Sequence, residues 1–327
     1  MRVLTNILIF IAVIATALPF VRTTHWWIRI FDYPRAQIAF IAVLALILTF
    51  YEYRKEIFRM AGIALILLSA IVYQASLIIK YTPLFPITSP GSFEPKPENT
   101  FTILMYNVRM ENKEYEKFKT LAAQIDPEII LLTEPDINWE REIAISKENY
   151  PYQILYPLDN TYGMLLFSKL ELVDPEVNFL VKEDIPSMYA KVKLLSGITI
   201  NLHALHPEPP KPGSPTYDRD TEILLVGQRI VNESGPSVVA GDLNDVAWSS
   251  TSELFQKSAD VLDPREGRGL FNTYSVNFPL FRYPLDHFFY TYDFNLVDLR
   301  RLDNIGSDHF PILITLEFVP KEEMVEK

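Results

Sequence analysis

No cysteine occurs among the 327 residues. Disulfides, thiol nucleophiles and thiolate metal ligands are therefore excluded, and either redox compartment is tolerated. Basic charge is also sparse where a polynucleotide binder would carry it. Residues 1–99 hold nine Lys/Arg against five Asp/Glu, whereas residues 100–327 hold 21 against 36, a net of −15. An acidic region of that size repels polyanions at long range. It also lacks a Lys/Arg-rich stripe interleaved with aromatics, the usual footprint of a nucleic-acid groove. No internal repeat is present, and the one biased segment is rich in proline.

Hydrophobic residues make up 49% of the chain, unevenly spread. Residues 3–21, 36–51 and 60–79 are apolar runs. The first and third are long enough to cross a hydrocarbon core as helices, and the second is long enough with its flanks. Between the first two lies His25-Trp26-Trp27-Ile28-Arg29, and paired Trp beside Arg suits a bilayer interface. We read three transmembrane helices, a multi-pass protein with the lipid bilayer as partner. Ala15-Thr16-Ala17 resembles a signal-peptide cleavage site, but apolar character continues past it through Val21. Arg2, Arg54, Lys55 and Arg59 on one side balance Arg22, Arg29, Arg35 and Lys80 on the other, so the positive-inside rule gives no orientation. The α-amino group and the Arg54-Lys55 cluster favour an inside N-terminus, which three spans convert into a C-terminal domain outside the cytoplasm. Five prolines between residues 81 and 100, with Gly91, forbid a helix or central strand and predict a stiff, extended linker. A globular domain over residues 101–320 and a tail over 321–327 are expected beyond it.

In that domain, residues 101–106 read as a strand ending on Asn107, and residues 113–125 carry helical spacing. A strand over 128–133 delivers Glu134. Residues 188–195 and 198–205 form a hairpin that ends on His206, and residues 237–240 lead into Gly241-Asp242-Leu243-Asn244. Asp286-His287 and Asp308-His309 open the last two strands. Strand, helix, strand within about 30 residues is a layered α/β opening. Asp or Asn after a strand is common turn chemistry. Six strand ends that carry Asn107, Glu134, His206, Asp242 with Asn244, Asp286, and Asp308 with His309 point instead to one rim where a site forms.

These residues in this order resemble the endonuclease/exonuclease/phosphatase superfamily, over roughly residues 101–318. Gly241-Asp242-Leu243-Asn244 and Ser307-Asp308-His309-Phe310-Pro311 carry the resemblance most specifically. Asn107-Val108, Leu132-Thr133-Glu134 and Leu285-Asp286-His287 support it. The apolar runs and His206-Pro207-Glu208-Pro209-Pro210 resemble a membrane-anchored bacterial branch. The resemblance implies a four-layer α/β sandwich, two packed β-sheets flanked by helices, and Mg²⁺- or Mn²⁺-dependent hydrolysis of a phosphoester. It implies that Glu134, Asn107 and Asp308 hold the cation. His309 would be general base or phosphate-polarising group, oriented by Asp286. Asp242 would position water, Asn244 would bind a phosphate oxygen, and His206 would serve the leaving oxygen. His203, three residues earlier, is the alternative second histidine, and His287 reads as structural or as a rim residue. Arg109 stands where some nucleases of the superfamily carry an acid, which weakens a nuclease-type second metal contact.

A membrane-anchored phosphodiesterase or phosphatase acting on a lipid headgroup or small phosphoester is the expected function. A nuclease is the alternative, disfavoured by the acidic domain. A catalytically silent binding module is the third reading, though every polar position the motifs require is filled. No protein partner is inferable.

Overall fold

The computed structural model describes residues 1–320; the expected tail, 321–327, lies outside them. The chain divides into two compact units, residues 1–86 with 210–216 and residues 87–209 with 217–327.

The first unit contains helices α1 (Arg2–Ala17), α2 (Trp26–Arg29), α3 (Arg35–Glu52) and α4 (Ile57–Ile78). Three stretches, Arg2–Phe20, Arg35–Glu52 and Ile57–Tyr81, are long and apolar enough to cross a membrane, with mean hydropathies of 2.3, 1.6 and 2.2. Small residues sit where these helices meet: Ala12, Ala42 and Ala45 are buried with Leu67, whereas Phe10, Phe40, Phe58 and Val72 face outward. Small-residue seams of this kind let apolar helices approach closely in lipid. Buried polar side chains meet one another. Arg35 meets Asp32 at 2.5 Å, and Gln74 Nε2 donates to Thr16 Oγ1 at 3.0 Å.

The second unit runs β1 (Thr100–Asn107), α5 (Tyr115–Ile125), β2 (Ile129–Thr133), α6 (Ile137–Ile143), β3 (Tyr152–Tyr156), β4 (Met164–Ser168), β5 (Glu171–Asn178) and β6 (Ser187–Lys193). It continues through β7 (Thr199–Leu205), α7 (Tyr217–Glu233), β8 (Ser237–Asp242), α8 (Ser250–Ser258), β9 (Val261–Leu262), β10 (Asp286–Thr291), β11 (Phe294–Arg301) and β12 (Ile312–Phe318). Two six-stranded mixed sheets result, ordered β11-β12-β1-β2-β4-β3 and β5-β6-β7-β8-β10-β9.

Alternation along the strands builds the layers. Ile103, Met105, Ile129 and Leu131 from one sheet pack with Leu202, Ala204, Val238 and Ala240 from the other. The intervening residues Leu104, Tyr106, Ile130 and Leu132 face outward onto Phe118 of α5 and Trp139 of α6. On the far side, Leu205, Val239 and Phe289 pack against Ile223, Val226 and Ile230 of α7 and Phe255 of α8. This is the four-layer α/β sandwich. Both faces of the central strands are buried, which is why they read as unbroken apolar runs.

The proline-rich segment is not a free linker along its whole length. Leu296 exchanges backbone hydrogen bonds with Pro90 and Ser92, Glu317 accepts from Lys96 N at 2.8 Å, and residues 97–99 form a 3₁₀ turn. Glu317, more than 200 residues away, supplies the carboxylate and also accepts from the Ser92 hydroxyl at 2.5 Å. The globular unit therefore begins at Ile87, not at residue 101.

Candidate active site

Sheet register gathers the polar strand ends. Parallel pairing of β1 with β2 sets Asn107 beside Thr133, so Glu134 follows at the same rim. Parallel pairing of β7 with β8 sets Leu205 beside Gly241, which brings His206 level with Asp242. Antiparallel pairing of β10 with β8 places Asp286 directly opposite Asp242. Gly241 is required for this closeness, because a Cβ there would lie 1.9 Å from the Leu205 carbonyl oxygen. The backbone departs from strand geometry at the site itself: Arg109, Glu134 and Asn244 all have left-handed φ values, of 57°, 62° and 49°. Such conformations are costly outside glycine and collect at functional sites.

His309 Nδ1 lies 2.7 Å from Asp286 Oδ2, and its Nε2 faces Asp242 Oδ2 at 3.6 Å. Asp242 Oδ2 also accepts from Asn107 Nδ2 at 2.9 Å, while the same amide donates to Glu134 Oε1 at 2.8 Å. His206 Nε2 stands 3.8 Å from Glu134 Oε1 and 4.0 Å from Asp242 Oδ2. The Asn244 N–H donates to Asp242 Oδ1 at 2.9 Å and its side-chain amide to the Pro207 carbonyl at 3.0 Å. Asn107, Glu134, His206, Asp242, Asn244, Asp286 and His309 thus form one continuous constellation.

Asp308 stands apart from the tight part of it. Its carboxylate is 4.0 Å from Arg109 Nη1 and accepts from Ser307 Oγ at 3.3 Å. Adjacent in sequence, Asp308 and His309 have different partners. His203 is buried against the Tyr189 ring on the far face of its sheet, with centroids 5.0 Å apart, so His206 is the second histidine at the rim. His287 is wholly buried. Its Nε2 is 2.9 Å from the Asp245 carbonyl and its Nδ1 2.7 Å from Arg265 Nη2. A carbonyl only accepts and a guanidinium only donates, so His287 is neutral and carries its proton on Nε2. It is a structural strut.

Two contributors carry no sequence signal of their own. Arg219 on α7 donates through Nη1 to the Asn244 carbonyl at 2.7 Å and pairs with Asp245 at 3.4 Å, clamping the turn that follows Asp242. Tyr274 sits with its ring centroid 4.9 Å from that of His309. Arg219 looks like any charged residue on an amphipathic helix, and Tyr274 lies in an aperiodic stretch. Clamp and neighbour alike became visible only in three dimensions.

Charge states follow from burial. Burial pushes the Asp242 carboxyl up to about 7 and also raises Glu134, where the Asn107 hydrogen bond opposes it. Burial, with His309 nearby, drives His206 down to about 3. For His309 burial opposes the charged form, but Asp286 and Asp242 outweigh it and hold the imidazole up to about 10. Glu134, Asp242 and Asp286 therefore surround one imidazolium. Glu134, His206 and Asp242 each offer a ligand atom within 4.8 Å of the others, as do Asp242, Asp286 and His309. Asp286 Oδ1 and His206 Nδ1 are buried without a hydrogen-bond partner among the described residues. A donor set this rich in oxygen and short of positive charge fits a hard divalent cation. In the arrangement seen, Asn107 turns its amide nitrogen towards the acids and its Oδ1 accepts from Arg109 N at 3.0 Å.

Among curated proteins none matches the chain. Solved structures show the same fold at low identity. An endonuclease/exonuclease/phosphatase family protein from Bacteroides thetaiotaomicron is 17% identical with a TM-score of 0.57, covering 70% of this chain and 100% of that one. The human Nocturnin catalytic domain with bound sulfate anion is 16% identical with a TM-score of 0.55, covering 70% and 97%. A mannosyl-6-phosphatase from Bacteroides thetaiotaomicron VPI-5482 is 18% identical with a TM-score of 0.51, covering 67% and 100%. Residues 105–309, which run from β1 to His309, match the model of the endonuclease/exonuclease/phosphatase family, and the chain belongs to that family.

Proposed function

We propose that the protein is a membrane-anchored, divalent-cation-dependent phosphoester hydrolase acting on a small phosphoester or lipid headgroup. The observation that carries this reading is the Asp286–His309–Asp242 line meeting the Glu134–Asn107 pair at one rim. Glu134 and Asp242 would hold Mg²⁺ or Mn²⁺, with Asn107, His206 and Asp308 close by. When bound, the cation would neutralise phosphate charge and polarise its oxygens.

The chain's own residues supply the rest. Asp286 accepts from His309 Nδ1, fixes the ring and keeps it charged, so His309 Nε2 presents a proton to a phosphoryl oxygen that gains charge. Between its two possible roles, phosphate polarisation suits a histidine held up to about 10 better than base catalysis does. Asp242 would position the attacking water and accept its proton. Asn244 would donate to a phosphate oxygen. His206, neutral, would hydrogen-bond the leaving oxygen rather than carry a proton to it.

The net charge of −15 on residues 100–327 supports a small phosphoester over a polynucleotide. Three apolar helices with the N-terminus inside would place the domain outside the cytoplasm. A panel of nucleic-acid, lipid and sugar phosphoesters offered to the full chain in detergent tests the substrate class. Plasmid nicking at physiological salt that disappears in His309→Ala, without release of lipid headgroups, would transfer the assignment to a nuclease. Alkaline phosphatase fused after Lys327 tests the side: an inactive reporter contradicts the external placement.

A further inference from the structure

Residues 273–283 form a short hairpin pressed against the site. Thr273 N and Tyr274 N donate to the Tyr283 carbonyl at 3.1 and 3.0 Å, and Tyr283 N donates back to Tyr274. One arm runs along the catalytic segment: Phe310 N donates to the Thr273 carbonyl at 2.9 Å and Val276 N to the Asp308 carbonyl at 2.8 Å. Asp286 N donates to Thr273 Oγ1 at 3.2 Å, which fixes the base of the hairpin to the partner of His309. Arg282 closes the neck, donating to the Ser275 carbonyl at 3.1 Å and lying over the Phe310 ring.

The tip beyond this well-bonded neck is apolar and exposed to solvent. Phe278, Leu280 and Phe281 are 65%, 80% and 52% exposed, on a 3₁₀ turn begun by Pro279. Phe278 is four positions after Tyr274, so its Cα lies no more than about 14 Å from that of the residue whose ring stands beside His309. Three large apolar side chains within four residues, beyond a neck bonded to the catalytic segment, expose a patch that water disfavours. Charge selects what can cover it. Residues 267–285 contain Arg268 and Arg282 and no acid, inside a domain of net −15. An apolar tip with a cation behind it suits the headgroup and acyl boundary of a bilayer, which the acidic remainder would avoid. The same chain carries three helices apolar enough to keep the domain at such a surface.

We infer that Phe278, Leu280 and Phe281 insert into the bilayer surface, so that the site takes its phosphoester from a membrane amphiphile. This narrows the substrate class of the proposed hydrolase and rests on that reading only for its catalytic half. The absence of cysteine makes single-site labelling clean. In full-length protein reconstituted in phosphatidylcholine nanodiscs, a fluorophore on Phe278→Cys is expected to be at least about tenfold less accessible to iodide than one on Leu195→Cys. Leu195 is 75% exposed in the β6–β7 turn, at the opposite end of these strands from His206. Equal quenching at the two positions overturns the insertion, as does cross-linking of Phe278→Cys between two chains. The triple variant Phe278→Ser, Leu280→Ser, Phe281→Ser is expected to lose at least tenfold in kcat/KM on a phospholipid in mixed micelles. Its rate on bis-p-nitrophenyl phosphate should stay within twofold of the parent, and parallel loss on both substrates contradicts the inference. Failure of the parent to hydrolyse either substrate would count against the hydrolase, while the quenching result would still decide insertion.

Discussion

His309 and Asp286 are 23 residues apart in sequence and 2.7 Å apart between Nδ1 and Oδ2. The contact arises because β10 opens on Asp286 opposite Asp242, while His309 lies just before β12 at the same rim. Asp286 and Asp242 together hold His309 charged against the penalty of burial, up to about 10.

Asp286→Asn should therefore lower kcat by at least about 10²-fold, the lower range for a positioned proton-transfer group. The direction of the pH effect follows from the raised histidine. Without the carboxylate, His309 loses its proton at lower pH, so the alkaline limb of the pH–rate profile moves towards neutrality. An unchanged alkaline limb would remove Asp286 from this role.

Glu134→Gln should weaken cation binding. Loss of even an outer partner of a metal ligand typically costs roughly 10–100-fold in affinity, and Glu134 is expected to cost at least that. Calorimetric titration with Mn²⁺ reads it directly. The parent should also release protons on binding, because burial raises the Glu134 and Asp242 carboxyls before the cation arrives.

Arg219→Leu leaves Asp245 buried without its guanidinium and the Asn244 carbonyl without that donor. Removing one partner of a buried pair destabilises by about 3–5 kcal/mol. A fall in the thermal midpoint of the detergent-solubilised chain should accompany loss of activity. Arg219→Lys should recover stability more fully than activity, because a lone ammonium cannot span both acceptors.

Glu222, buried on α7, has its carboxyl raised to about 8 by burial, and its Oε1 has no hydrogen-bond partner among the described residues. The folded state holds this proton more tightly than the unfolded chain, whose carboxyl titrates near 4.3. Stability from the protonated form is full below that value and is lost as pH rises through about 8. Glu222→Gln should raise the thermal midpoint at pH 8–9 and leave it nearly unchanged near pH 4. Equal shifts at both pH values would show that titration is not responsible.

Most of the architecture was legible because its strands are buried on both faces and its helices on one. The runs ending on Asn107, Glu134, His206 and Asp242 stood out for that reason. Strands with mixed composition did not. β5 carries Asp174-Pro175-Glu176 and shifts register between Val173 and Glu176, and β11 carries Asn295, Asp298 and two terminal arginines. The docking of residues 90–96 on Leu296 and Glu317 depends on a carboxylate more than 200 residues away, beyond the reach of local pattern. At the site, residue types were legible, and the resemblance implied the pairing of His309 with Asp286. Nothing in Ser307-Asp308-His309 says that its acid turns to Arg109.

The central claim is that one buried line of residues, Asp286–His309–Asp242, hydrolyses a phosphoester with the help of a divalent cation. The direct measurement is release of p-nitrophenol from bis-p-nitrophenyl phosphate by the full-length, detergent-solubilised protein. Turnover should appear with Mg²⁺ or Mn²⁺, vanish on chelation, return on readdition, and be absent from a folded His309→Ala variant. Hydrolysis that persists in His309→Ala, or no turnover with either cation on this ester and on the wider phosphoester panel, would contradict it.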